Sequence, residues 1–276
     1  MDVPRYRALA APHLVFRGHE CRIEPMRRIL WLSLLIALSC FPAFGQDIGL
    51  FLENLPPVGS WAEFRVTVQT GEGRPKEKVL RVAVTKSMTV DGVEYLLVEA
   101  SPQKFLREKG GTLGLWLKAK ASPEETANIF LRSRSVQYAP LNRDPYQLDD
   151  FVLGELKSAS KGFKMDNVRK PAGSRTEEIS GKKLAVSAEE RDGMIDGSFG
   201  FSRLKVREKG TVLLCAEVPF GMAGADLVDE IYDSSGKIEK TKTIRIRLVS
   251  WGTSGAKSAF PEGSLKRKGI WGIIFS

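Results

Sequence analysis

The residue types that most often carry catalysis, histidine and cysteine, are few in this chain and lie mainly near its N-terminus. Both histidines, His13 and His19, and two of the three cysteines, Cys21 and Cys40, precede residue 46. Imidazole is the usual base that activates a nucleophile and the commonest ligand in protein metal sites. If the N-terminal segment is removed, only Cys215 remains, in an apolar run typical of a buried thiol. We therefore expect no histidine-based relay, no metal site and no cofactor.

Other combinations of nucleophile and base occur without singling out a site. The spacing Ser-x-x-Lys, which could pair a serine nucleophile with a lysine base, is found six times, and Ser158 with Lys161 and Ser254 with Lys257 are examples. Six matches in a chain rich in serine and lysine identify no position. We assign no catalytic residues, and the sequence leaves catalysis open while favouring a non-enzymatic protein.

Three tryptophans and one lysine are the candidate ligand-binding residues. Aromatic side chains often line cavities for apolar ligands, and Trp61, Trp116 and Trp251 could do so here. Lys257 ends a glycine-containing segment, residues 252–257, whose backbone amides could bind an anion. The alternatives are core packing or strand-edge capping for Trp61 and Trp251, and an ordinary glycine turn for residues 252–257.

A secretory signal peptide is predicted over residues 26–45. A positively charged start is followed by an apolar run over residues 29–40, and Ala43 and Gly45 supply small residues at positions −3 and −1 of a cleavage site before Gln46. The apolar run is shorter than the ~20 residues that span a bilayer. The sequence therefore predicts export to the periplasm.

The chain upstream of that signal leaves alternatives open. Residues 1–25 show no strand or helix periodicity, and we interpret them as a mis-assigned start or a disordered extension. Membrane anchoring through an uncleaved signal is one alternative to release. Lipidation of Cys40 is another, because residues 37–40 faintly resemble a bacterial lipobox.

Composition limits the class of protein and its partners. The 276 residues include 42 basic and 33 acidic side chains, for a net charge of +9, and 42% are hydrophobic. This mixture is typical of a folded globular protein and excludes a disordered or multi-span membrane chain. The basic residues form no stripe, so we expect no nucleic-acid partner.

Apolar and polar residues alternate over much of the first half. Residues 62–69, 78–86, 93–100 and 112–119 have the period of two typical of strands, and Asp91-Gly92 is a tight-turn signal. This pattern predicts an antiparallel meander.

Helical spacing is confined to a few segments. Residues 148–161 are the best helix candidate and the expected plug of the sheet, whereas residues 129–138 fit either a helix or a strand. A Pro-Ala-Gly-Ser sequence at 171–174 predicts a loop.

The second half returns to strand patterns. Residues 183–189 and 194–207 carry short strands parted by two Asp-Gly sequences, and residues 227–249 form a long hairpin. The predicted fold is mainly β: a curved antiparallel sheet or open β-barrel with one to three short helices.

Two segments are predicted for the exported part of the chain. Residues 46–262 read as a single antiparallel β domain. Residues 263–276 are a basic and apolar tail, which is either a last strand or a contact with an anionic membrane surface.

Three short motifs carry a resemblance to known proteins. Residues 58–64 (VGSWAEF), 218–221 (VPFG) and 252–258 (GTSGAKS), behind a signal peptide, resemble a group of uncharacterised exported bacterial envelope proteins. The architecture is similar to the periplasmic lipoprotein-carrier fold, an open barrel whose concave apolar face is closed by helices. The resemblance implies binding of acyl chains or of a lipoprotein's lipid.

Three functional hypotheses follow. The first is an exported envelope protein that binds an apolar or amphiphilic ligand, such as a lipid or lipoprotein, without catalysis. The second is a structural or assembly module of the cell envelope that binds a protein partner through its sheet edges or its basic tail. The third is a hydrolase that uses carboxylates or a Ser-Lys pair.

Overall fold

The computed structural model describes residues 51–105, 108–122, 125–126, 128–199, 202–269 and 272–273. The predicted start, signal peptide and lipidation site at Cys40 lie outside these residues. Across the described ranges, the structure contains no helix of the length and apolar character that a membrane crossing requires.

Strands dominate the described chain. The twelve strands are β1 (Trp61–Thr70), β2 (Lys76–Val90), β3 (Val93–Phe105), β4 (Glu108–Lys118), β5 (Ser133–Ala139), β6 (Tyr146–Leu148), β7 (Phe163–Ile179), β8 (Lys182–Phe199), β9 (Ser202–Leu214), β10 (Met222–Tyr232), β11 (Ile238–Gly252) and β12 (Lys266–Lys268). The helices are α1 (Ile129–Arg132) and α2 (Asp150–Ser160), with a 3₁₀ turn at Pro219–Gly221.

All twelve strands belong to one sheet, in the order β12-β6-β5-β4-β3-β2-β1-β11-β10-β9-β8-β7. The neighbouring strands are antiparallel, except that β12 lies parallel to β6. The described sheet does not close, because β12 and β7 form its two edges. The predicted mainly β fold, an open antiparallel sheet with few helices, is confirmed.

The sheet curls strongly about one face. At the turn between β7 and β8, the hydroxyl of Ser180 donates to the carbonyl of Val249 on β11, although three strands separate β7 from β11. Lys182 places its ammonium 5.1 Å from the ring of Trp251. The β7–β8 hairpin therefore bends back toward the middle of the sheet.

The concave face of this curled sheet holds the hydrophobic core. Phe64 lies opposite Leu80 in the register of β1 and β2, and both belong to the core with Val98 of β3 and Leu115 of β4. Helix α2 covers the face with Leu153 and Leu156, and Phe51 fills it from the N-terminal side. Each such side chain contributes about 1.5–3 kcal/mol when buried.

The N-terminal segment is attached to the concave face by three arginines. The buried guanidinium of Arg132 donates to the backbone carbonyls of Leu52, Lys118 and Ala119. Arg169 and Arg191 both donate to the carboxylate of Glu53, with Arg191 at 3.0 Å.

The two helix predictions had different outcomes. Helix α2 confirms the helix expected at residues 148–161, and Asp149 caps it by accepting from the Val152 amide at 2.8 Å. Residues 129–138 are divided between a helix and a strand. Asn128 caps α1, and β5 begins directly after the end of α1.

Two loop predictions in the second half were wrong. Residues 171–174 form a bulge within β7 rather than a loop. Proline is tolerated there because β7 is an edge strand, where one side of the backbone needs no sheet partner. The Asp-Gly sequences at 192–193 and 196–197 do not interrupt β8, because its backbone pairs in unbroken register with β7 and β9 at these residues. Asp192 and Asp196 form exposed ion pairs with Arg207 and Arg203 on β9.

The basic tail contains the last described strand. β12 pairs with β6, Arg267 forms a 2.7 Å ion pair with Asp150, and the ammonium of Lys268 lies 4.2 Å from the ring centre of Tyr146. The strand alternative for the tail is therefore the one that the structure shows.

Candidate ligand-binding site

A segment without regular structure, residues 253–265, crosses the convex face of the sheet, and we call it the strap. At its start, the indole Nε1 of Trp61 donates to the Ser254 carbonyl at 3.2 Å, and the Ala256 amide donates to the Gly59 carbonyl at 2.9 Å. These bonds fix the strap where β11 ends and β1 begins.

A buried carboxylate holds the middle of the strap. Glu99 faces away from the core on β3 and is only 5% exposed. It accepts hydrogen bonds from the hydroxyls of Thr85 and Ser258 and, at 2.8 Å, from the amide of Ala259. A buried carboxylate needs such donors to offset its desolvation, so Glu99 and the strap depend on each other.

Beyond Glu99, the strap is fixed by one cation and one aromatic ring. The ammonium of Lys86 donates to the carbonyls of Phe260 and Pro261 at 2.9 and 3.0 Å. The Phe260 ring is buried against β4, directly above Gly114 and beside Leu97.

A cavity of about 570 Å³ lies between the strap and the convex face of the sheet. This volume falls in the range of small-molecule sites, ~300–1,000 Å³. Apolar residues of its lining are Met88, Leu97, Trp116, Phe260 and Leu265, and polar or charged ones are Lys86, Arg134, Ser135, Gln137, Gln147, Asp150, Glu262 and Arg267. The lining thus offers apolar surface and hydrogen-bonding groups within one space.

The polar wall contains a buried acceptor that the described residues leave unsatisfied. Gln137 on β5 is 8% exposed, and its Nε2 donates to Oε1 of Gln147 at 3.4 Å. Its own Oε1 has no hydrogen-bond partner among the described residues. A buried polar atom without a partner costs about 1–3 kcal/mol. This oxygen is shielded within the wall, so a ligand donor that displaced part of the wall to reach it would be stabilised.

Three cations line the cavity. Arg267 is paired with Asp150, but the exposed guanidinium of Arg134 instead lies 5.5 Å from the ring centre of Tyr95. Lys86 is held by the strap carbonyls. Arg134 is therefore the cation best placed to contact a polar group of a ligand.

The candidate residues from the sequence do not converge on this site. Trp116 lines the cavity, but Trp61 lies at the start of the strap, where Arg81 covers its ring at 4.4 Å. Trp251 packs against the core on the opposite face. Lys257 is an exposed residue of the strap.

The glycine-turn interpretation of residues 252–257 agrees with the contacts of that segment. Its carbonyls at Thr253 and Ser254 accept bonds from Ser60 and Trp61, and its Ala256 amide is used by Gly59. The backbone thus serves to attach the strap to β1. Among described residues, no group of three or more metal-ligating side chains is found.

Several residues of the site gave no signal in the sequence analysis. Gln137 lies in the segment whose structure the sequence left undecided, and Glu99 lies in the alternating segment 93–100, where no neighbouring motif marks it. The sequence offered one indication that another segment packs on the outer face of β4. Gly114 is a glycine at an outward-facing position of a strand whose other residues are mostly large. Glycine inside a strand often marks close approach of another group.

The comparisons with known proteins identify no family. No protein-family model matches the chain, and no curated protein matches it. Two solved structures share 10% and 8% identity: a candidate lipoprotein from Parabacteroides distasonis, with a TM-score of 0.31, and a candidate exported protein with a YmcC-like fold from Bacteroides fragilis, with a TM-score of 0.30. The matches cover 72% and 71% of this chain and 97% and 98% of those structures. Scores at this level assign neither a family nor a function.

Proposed function

We propose that this chain is an exported envelope protein that binds an amphiphilic ligand, without catalysis, in the cavity beneath the strap. Export rests on the signal peptide of residues 26–45. Ligand binding rests above all on the cavity wall, in which the side chain of Gln137 has a buried Oε1 without a partner among the described residues.

The lining supports an amphiphile rather than a purely apolar ligand. The half-buried Trp116 and Met88 offer apolar surface for a hydrocarbon or ring. Gln137 requires a hydroxyl or amide donor, and Arg134 would favour an anionic or strongly polar group nearby. The concave face, which the lipoprotein-carrier resemblance would assign to acyl chains, is occupied by α2 and Phe51.

Native mass spectrometry tests this proposal. The protein is expressed from its full coding sequence, purified gently from an envelope fraction, and its mass is compared before and after denaturation. We expect additional mass that is lost on denaturation and is identified as an amphiphile. A mass equal to that of the polypeptide alone would contradict the proposal.

Two variants locate the site. Gln137→Leu removes the acceptor while keeping an apolar side chain of similar size, and it should abolish the additional mass. Gln69→Leu makes the same chemical change on β1, where the side chain contacts the adjacent turn, and it should retain the ligand. If both variants retained the ligand equally, the ligand would bind outside this cavity.

A second function is favoured by one edge of the sheet. β7 is an edge strand of 17 residues, and most of its described side chains are exposed. Unpaired backbone groups of such an edge can bind an extended segment of another protein. In this alternative the chain is an envelope assembly module, and crosslinking should capture a reproducible partner that Gln137→Leu does not affect.

A further inference from the structure

Strand β5 carries a bulge beside the cavity. In the register, Trp116 of β4 lies opposite Ser135. The next residue of β4, Leu117, lies opposite Ser133, and Arg134 between them has no partner strand position. A bulge of this kind adds one residue to a strand and redirects a side chain, and bulges are frequent beside functional sites. Arg134 is the residue that this bulge inserts.

The bulge brings Arg134 to the convex face. Alternate residues of a strand share a face, so regular alternation would put Arg134 on the concave side with Val136 and Tyr138, which belong to the core. Instead, Arg134 lines the cavity together with Ser135. The bulge therefore places an exposed arginine at the cavity.

An aromatic ring lies next to the guanidinium of Arg134. Tyr95 of β3 is buried and lies between Met88 of β2 and Lys118 of β4 in the register. The guanidinium carbon of Arg134 lies 5.5 Å from the ring centre of Tyr95. Cation–π attraction of this kind holds a guanidinium without using its N–H donors in hydrogen bonds. The donors of Arg134 are therefore positioned and available.

The other two cations of the lining are bonded to protein groups. Lys86 donates to two carbonyls of the strap, and Arg267 pairs with Asp150. Across the described ranges no carboxylate forms an ion pair with Arg134, and this includes Glu262 of the same lining. Arg134 is thus the cavity cation whose charge is left for a ligand.

Further positive charge lies near Arg134. Lys118 pairs with Glu125. Burial lowers the pKa of Lys157 on α2, and the charges of Lys118 and Arg134 lower it further, although Glu125 acts in the opposite direction. These three cations are therefore close enough to repel one another. An anion bound at Arg134 would relieve that repulsion.

We propose that the ligand of the cavity is an anionic amphiphile whose phosphate or carboxylate group binds to Arg134. This inference rests on the proposed function, because it names the chemical class of the ligand in that same cavity. A planar guanidinium donates two parallel hydrogen bonds to the oxygens of such a group. The apolar part of the ligand then lies on Met88 and Trp116, which line the cavity with Arg134.

Native mass spectrometry with added probes tests the charge of the headgroup. The protein, expressed from its full coding sequence, is titrated with decyl phosphate, decanoate, 1-decanol, decylamine and inorganic phosphate. We expect the two anionic amphiphiles to bind at least ~10-fold more tightly than the alcohol or the amine of the same chain length. Equal affinity for decyl phosphate and 1-decanol would overturn this proposal. Inorganic phosphate that bound as tightly as decyl phosphate would also overturn it, because the site would then hold a free anion.

Arg134→Gln locates the headgroup. Arg134 is exposed, so the variant should melt at the same temperature as the unaltered protein. Its affinity for decyl phosphate should fall ~10-fold or more, because a hydrogen bond to a charged group is lost. Arg74→Gln removes the same charge at an exposed position in the turn between β1 and β2, and it should bind decyl phosphate normally. Equal losses in both variants would overturn the proposal.

The same measurements distinguish failure of this inference from failure of the proposed function. A native ligand that is lost in Gln137→Leu but has a neutral headgroup would overturn this inference and leave the proposed function standing. A native mass equal to that of the polypeptide alone, together with no binding of any probe, would overturn both.

Discussion

The ring of Phe260 occupies the space above Gly114 that a side chain would fill. A β-carbon at residue 114 would lie 2.5 Å from Cε2 of that ring and 3.3 Å from Cδ1 of Leu97. Because Phe260 belongs to the strap and Gly114 to β4, this contact sets how closely the strap approaches the sheet. It therefore also sets the depth of the cavity.

Gly114→Ala should displace Phe260 and loosen the strap. Overpacking of this kind costs about 1–3 kcal/mol, so thermal unfolding should occur at a lower temperature and the ligand should be lost. Gly154→Ala is the control, because nothing lies within 4 Å of a β-carbon there. Alanine in helix α2 should raise the stability by about 0.5–1 kcal/mol. Equal melting temperatures for the two variants would contradict this account of Phe260.

Glu99→Gln should release the middle of the strap. The amide of Gln would place an N–H group against the donors that bond the carboxylate of Glu99. We therefore expect the free energy of unfolding to fall by about 1–3 kcal/mol. Hydrogen exchange at the Ala259 amide should accelerate. Glu94→Gln, an exposed change on the same strand, should leave this exchange rate as it is. Unchanged protection of Ala259 in Glu99→Gln would show that the strap is held without this carboxylate.

Arg132→Lys should destabilise the fold although it keeps the positive charge. The guanidinium of Arg132 reaches three carbonyls in different directions, and burial lowers its pKa. A lysine ammonium lacks the planar arrangement of N–H groups that reaches all three carbonyls. We therefore expect a loss of about 3 kcal/mol in the free energy of unfolding. Arg175→Lys, at an exposed position, should change it by less than ~0.5 kcal/mol. Denaturant titration measures both.

The contacts of Glu53 should make stability depend on pH in acid. Burial alone would raise the pKa of Glu53, but the hydrogen bond from Arg169 and the charges of Arg191 and Arg169 outweigh it and lower the pKa below its usual 4.5. With a folded-state pKa below the unfolded one, the stabilisation is present above pH ~4.5 and is lost as pH falls through the folded-state value.

Glu53→Gln tests this dependence. The substitution removes one of the two carboxylates that pair with the buried Arg191 and leaves Glu189, so we expect a loss of about 1–3 kcal/mol at pH 7. The difference from the unaltered protein should shrink as the pH falls below 4.5. Glu178→Gln, an exposed change on β7, should preserve the original pH profile. If the stability of Glu53→Gln fell with decreasing pH in the same way as that of the unaltered protein, other carboxylates would be responsible for the acid sensitivity.

Local sequence succeeded where one physical pattern dominates. Strands β1 to β4 were predicted because Phe64, Leu80 and their neighbours alternate with polar residues, and burial of one face imposes that period. The prediction from local sequence was wrong at Asp192-Gly193 and at Pro171. At these residues the preference for a turn is local and weak. The pairing of β8 with β9 and the position of β7 at the sheet edge are set by residues distant in sequence.

The tryptophans show the same limit at the site. Trp61 and Trp251 are one register position apart on β1 and β11, yet they lie on opposite faces of the sheet. A shift of one residue reverses the face of a side chain. Sequence alone therefore could not decide which of them meets the core and which meets the strap.

The sequence by itself determined the export signal, the shortage of imidazole and thiol chemistry, and the alternating pattern that makes this a β protein. These properties are local, because they depend on residue types and short periods. Only the tertiary structure decided the site. Glu99 and Gln137 acquire their properties when segments distant in sequence are brought together, since burial belongs to the folded chain.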